Sequence, residues 1–136
     1  MGSAQTGTGK TASFTLPMID ILDSGIAKAR MPRSLILAPT RELAAQVAES
    51  FEKFSANHNL SMALLIGGVS FSDQESALEK GVDVLIATPG RLLDHFERGK
   101  VLLQDVKILV LDEADRMLDM GFIHDVERIV SLLPKI

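Results

Sequence analysis

The chain has 136 residues, 46% of them hydrophobic, no cysteine, and a formal net charge of −4 from 14 basic and 18 acidic side chains. That length suits one domain or part of one, the missing thiols exclude disulfides and thiolate zinc sites, and the acidic balance excludes a broad basic face that holds nucleic acid by charge alone. No apolar run reaches the ~18 residues of a membrane span, and the N-terminal residues do not read as a secretory signal, so a cytoplasmic protein with no membrane contact is expected.

The first feature in chain order is the string AQTGTGKT. Its residues Ala4, Gln5, Thr6, Gly7, Thr8, Gly9, Lys10 and Thr11 read as a nucleotide-binding loop, with Gly7 and Gly9 letting the backbone fold closely round phosphate oxygens. Lys10 would add a positive charge at the β and γ phosphates of ATP, and Thr11 a hydroxyl for Mg2+. The generic pattern has Gly where this chain has Ala4, and only Met1, Gly2 and Ser3 come before it. A strand that would deliver the loop is therefore not expected within the chain.

After a looser stretch at 24–33, four short apolar runs suit strands buried on both faces: SLILA at 34–38, MALLI at 62–66, DVLIA at 83–87 and KILVL at 107–111. Between them lie helical spacings. Leu43, Val47, Phe51 and Phe54 share one stripe; Leu92, Leu93 and Phe96 form another that closes at Gly99; Val126, Ile129, Val130 and Leu133 form a last one ending at Pro134. Strands alternating with helices indicate an α/β fold, a parallel sheet with flanking helices.

The segments just after the strands are more telling: PTREL, then Gly67 and Gly68, then TPGR, then DEAD. One such turn alone is ordinary strand-to-helix geometry. Four in succession, all at carboxyl ends where open parallel sheets bind ligands, point to a shared rim. Asp112 at a strand end can hold Mg2+, and Glu113 beside it can orient and deprotonate an attacking water, with Lys10 completing the catalytic set. Taken alone, an acidic tetrad after a strand is more often a solvated helix start; paired with the upstream phosphate loop it points to the site. The chain lacks Trp and Tyr, so a base-stacking platform is not expected and nucleic acid would be held by its backbone. His58, His95 and His124 are too far apart to form a ligand cluster and are expected at the surface or at caps.

Together these motifs strongly resemble the first RecA-like domain of the DEAD-box RNA helicases. AQTGTGKT is similar to the family's motif I, PTREL to motif Ia, Gly67 and Gly68 to the glycine doublet, TPGR to motif Ib and DEAD to motif II, in the family's order. The resemblance implies a P-loop ATPase domain in which Lys10, Thr11, Asp112 and Glu113 serve ATP and Mg2+. It further implies that Thr40, Arg41, Gly68, Thr88 and Arg91 face the sugar-phosphate backbone of RNA, independently of sequence, and that Asp115 couples the two sites. Residues 1–136 then correspond to a partial helicase ATP-binding domain, truncated at both ends. The second RecA-like domain, with its arginine fingers, is missing from this chain, and the fragment alone is expected to be inactive. The strand at 107–111 is expected to have an unpaired edge.

Overall fold

The computed structural model describes residues 31–134 apart from 57 and 59. In chain order the elements are β1 (Ser34–Leu37), α1 (Arg41–Phe54), β2 (Met62–Leu65), α2 (Phe71–Glu79), β3 (Val84–Ala87), α3 (Pro89–Glu97), β4 (Ile108–Leu111), α4 (Ala114–Asp119) and α5 (Ile123–Leu132). The four strands lie where the apolar runs place them and form one sheet in the order β2-β3-β1-β4. Every pairing is parallel. β1 and β3, at the centre, are buried at every position, as an uninterrupted apolar run requires when both faces are covered. Among the described residues β4 pairs only with β1 and borders the sheet, and none of its residues is fully buried.

Side chains alternate between the faces with the strand period of two. Ile36, Val84 and Ile86 meet Leu43, Val47 and Phe51 of α1 on one face. Leu35, Leu37, Leu65 and Leu85 meet Leu78, Leu92, Met117 and Ile129, from α2, α3, α4 and α5, on the other. Two of these helices lack an apolar stripe that periodicity could reveal: α2 buries only Gln74 and Leu78, and the short α4 buries only Met117. No helix among the described residues is long and apolar enough to cross a membrane.

Register is set at the amino ends of the strands. Asp83, just before β3, takes the Arg33 guanidinium at 2.7 Å through Oδ1 and accepts the Ser61 backbone N–H at 2.9 Å through Oδ2. Arg33 precedes β1 and Ser61 precedes β2, so one carboxylate ties three strands, and the Lys107 N–H donates to the Arg33 carbonyl at 2.8 Å to bring in the fourth. At the other end, Leu37 pairs with both Ala87 and Leu111, and Leu65 pairs with Ala87. The four strands therefore stop in line.

The Arg33 and Asp83 side chains are only 12% and 8% exposed, so removing one leaves the other charge poorly solvated. Asp83→Ala is expected to lower stability by about 3 kcal/mol, read from urea unfolding; a loss well under 1 kcal/mol would show that the strand ends hold without it.

Candidate functional site

Because the strands are parallel and end in register, the segments that come after them line one rim in the order Gly67–Gly68, Thr88–Arg91, Thr40–Arg41 and Asp112–Asp115. The ladder continues past the strand ends into three of these segments. The Ala38 N–H donates to the Ala87 carbonyl at 3.0 Å, the Thr88 N–H to the Leu65 carbonyl at 3.2 Å, and the Asp112 N–H to the Leu37 carbonyl at 2.9 Å. The sequence-predicted residues Thr40, Arg41, Gly68, Thr88, Arg91, Asp112, Glu113 and Asp115 thus share the carboxyl edge of one sheet. The predicted phosphate loop, Ala4 to Thr11 with Lys10, lies outside the described residues.

Each rim residue is placed by local chemistry. Thr40 caps α1, its Oγ1 accepting the Leu43 N–H at 3.1 Å. That is the ordinary use of a Thr at a helix start. Thr88 occupies the same position on α3, where Pro89 begins the helix, but makes no side-chain cap. Arg41 reaches across to the Gly67 carbonyl at 3.4 Å. Gly68 has φ +80, and a Cβ built there would fall on the Arg41 guanidinium. The backbone angle calls for glycine, and any side chain there would also displace the Arg41 guanidinium.

Arg91 is held on three sides. Its Nε donates to Gln74 Oε1 at 3.0 Å, its Nη2 donates to the Val69 carbonyl, and its guanidinium lies 3.5 Å from the centre of the Phe71 ring. Gln74 is not legible as a site residue, since nothing in its spacing marks it, yet it is 4% exposed and fully used. Its Nε2 donates to the Ile66 carbonyl at 2.9 Å, and its Oε1 is also 2.6 Å from His95 Nε2.

His95 corrects an expectation. It is fully buried rather than at the surface, because α3 turns it inward against Gln74 and the edge of Phe71, ring centres 4.9 Å apart. Arg91 can only donate, so the Gln74 atom facing it is the oxygen, and His95 must carry its proton on Nε2. Its Nδ1 is buried without a hydrogen-bond partner among the described residues. Burial first, then the Arg91 charge, holds the imidazole below its ordinary pKa of 6.5; Arg98 acts in the same direction, Glu75 and Asp94 against it. His124 is exposed, as expected, and His58 is partly exposed.

At the β4 end of the rim, Asp112 is 8% exposed, Glu113 is half-buried and Asp115 is exposed. Glu113 adopts φ 58, ψ 49, the one left-handed non-glycine residue among those described. That conformation costs about 1–2 kcal/mol and recurs where a side chain must be aimed. Among the described residues no three His, Asp or Glu side chains gather as a metal cage. The donor set still fits Mg2+, which keeps waters and phosphate oxygens and needs only one or two protein oxygens.

Two measurements test these assignments. The unfolded chain binds a proton at His95 more readily than the folded one, so stability is complete above pH 6.5 and falls as the pH drops below it; His95→Gln should remove that component from urea midpoints taken across this range. Gly68→Ala should cost about 1–2 kcal/mol and shift the Arg41 side-chain resonances; an unshifted guanidinium would refute the close approach.

Comparison with known proteins accounts for this arrangement. The model of the family described as DEAD/DEAH box helicase matches residues 1–136. The ATP-dependent RNA helicase DeaD of Mycobacterium tuberculosis (strain ATCC 25618 / H37Rv) is 48% identical over 99% of the chain, which spans 24% of that relative. Among solved structures, the yeast DEAD-box splicing factor Prp28 matches with a TM-score of 0.86 at 35% identity, over 95% of this chain and 31% of that one. A DEAD box protein from the hyperthermophile Methanococcus jannaschii matches with a TM-score of 0.83 at 45% identity, over 95% of this chain and 34% of that one. With the motifs in order, the strand ends in register and a match over its whole length, the chain belongs to the DEAD/DEAH box helicase family.

Proposed function

We infer that the chain is part of an ATP-dependent RNA helicase and contributes the ATP-binding half of its machinery together with one wall of an RNA-binding cleft. The observation that carries this reading is the single rim on which the Arg41, Gly68 and Arg91 segments and the Asp112–Asp115 segment are aligned by strand register.

In this reading the loop Ala4–Thr11 holds the phosphates of ATP, and Thr11 and Asp112 would hold Mg2+. Bound there, Mg2+ would neutralise charge on the phosphate oxygens. Glu113 orients and deprotonates the attacking water, the left-handed backbone setting the direction in which its side chain leaves the chain. The RNA backbone lies along Thr40, Arg41, Gly68, Thr88 and Arg91. Thr88, whose hydroxyl makes no helix cap, and the N–H of Gly68 donate to phosphate and sugar oxygens. Such contacts carry no base information, so binding is independent of sequence. Asp115, exposed beside Glu113, couples the two sites.

Because the chain spans about a quarter of the DeaD relative, unwinding is assigned to the longer protein, in which a second RecA-like domain supplies arginines to the transferring phosphate. Absence of such an arginine lowers turnover by about 10³–10⁵-fold. The chain by itself is therefore expected to bind ATP without useful hydrolysis. RNA-stimulated turnover by the pure chain, lost in Glu113→Gln, would overturn that division of labour.

The reading is tested by two substitutions. Lys10→Ala is expected to abolish binding of a fluorescent ATP analogue in the presence of Mg2+, and Arg41→Ala to weaken single-stranded RNAs of different sequence equally while reducing the salt dependence by about one phosphate contact. Wild-type nucleotide affinity in the first, or a marked change of base preference in the second, would sink it.

A further inference from the structure

Resting on the RNA-binding reading, we propose that Gln74, which belongs to none of the four rim motifs, is a positioning residue for RNA binding: its side-chain amide locks the Ile66–Val69 turn and the Arg91 guanidinium into one arrangement. The bonds run in both directions from a single buried group. Nε2 holds the Ile66 carbonyl at 2.9 Å, and Oε1 holds Arg91 Nε at 3.0 Å, while Arg91 returns to the same turn through the Val69 carbonyl. Turn, Gln74 and Arg91 thus close a ring of hydrogen bonds linking the segment after β2 to the start of α3.

The ring decides which polar groups of the turn face outward. The carbonyls of Ile66, Gly67 and Val69 accept from Gln74, Arg41 and Arg91 respectively. The N–H groups of Gly67 and Gly68 form no hydrogen bond among the described residues. A turn whose acceptors are held from within and whose donors are left over is prepared for an anion. Arg91 bonds within the ring through Nε and Nη2 only, so its Nη1 is not used by the ring.

His95 completes the arrangement by donating to the same Oε1 at 2.6 Å. That oxygen therefore serves two donors and cannot turn away without leaving the buried His95 N–H and the half-buried Arg91 Nε–H unpaired. The groups facing His95 are Arg91, Asp94 and Arg98 of α3 and its C-cap and Glu75 of α2, with the Phe71 ring against its edge. With cations on two sides and a buried Nδ1 that has no partner among the described residues, the imidazole is held in the neutral form that the ring uses.

The test uses the full chain and two variants. Gln74→Met keeps the buried volume and removes every hydrogen bond, whereas Gln74→Glu keeps an oxygen for Arg91 and His95. Well below the unfolding temperature, Gln74→Met is expected to lose about tenfold in affinity for a fluorescein-labelled single-stranded oligouridylate, the equivalent of one hydrogen bond to a charged group. The slowly exchanging Arg91 Nε–H resonance should vanish, and the Gly67 and Gly68 amides should move toward disordered positions. Gln74→Glu should restore the Arg91 signal but leave the Gly67 and Gly68 amides displaced, because its second oxygen cannot donate to the Ile66 carbonyl. Gln74 acting only through stability would lower the melting temperature and leave these readouts unchanged, which would overturn the proposal, as would a Glu variant that fails to recover the Arg91 signal. Failure of the wild-type chain to bind the oligouridylate would remove the RNA reading beneath the proposal, while the amide and Arg91 signals, recorded without RNA, still judge whether Gln74 locks the turn.

Discussion

The carboxylate of Asp83 is the constraint on which the rest of the structure depends. A parallel sheet of four-residue strands has few ladder bonds with which to choose its register, and a slip of one residue would exchange the two faces. Asp83 opposes such slips at the amino ends by binding Arg33 and Ser61 at once. The consequence emerges at the far end of the strands, where Leu65, Ala87, Leu37 and Leu111 stop together. A structural ion pair thus brings four separate motifs to one rim.

The rim resolves an apparent conflict between an acidic chain and a polyanionic ligand. Its arginines act inward as well as outward: Arg41 and Arg91 hold backbone carbonyls of a glycine turn, and Arg91 and Arg98 lie 3.5 Å and 4.0 Å from the centre of the Phe71 ring. The affinity proposed for RNA then comes from a few oriented N–H groups and a few fixed cations. Such a surface needs no excess of positive charge, and it is consistent with a formal net charge of −4.

The parts of this architecture legible in the sequence are those with one dominant physical cause. The central strands can be read because burial on both faces forces an unbroken apolar run, and α1, α3 and α5 because each lays a stripe on the sheet. α2 escapes because half of what it buries is Gln74, a polar residue whose burial makes sense only once Ile66, Arg91 and His95 surround it. His95 is misplaced for the same reason: a lone histidine carries no sign of a buried partner 21 positions away. The rim motifs announce their neighbourhood through their place after strands, whereas the bonds among Arg41, Gly67, Val69 and Arg91 depend on loop geometry that spacing does not encode.

The left-handed backbone at Glu113 has a consequence for how the protein tolerates change. Glycine would adopt φ 58 without steric penalty, so Glu113→Gly relieves strain at the position where the proposed role places a carboxylate. Selection for thermal robustness alone would therefore drift toward loss of that carboxylate, and a library screened for melting temperature would enrich variants without it. Stability and the proposed chemistry pull in opposite directions at this one residue, which makes its retention in an engineered variant a criterion to impose separately.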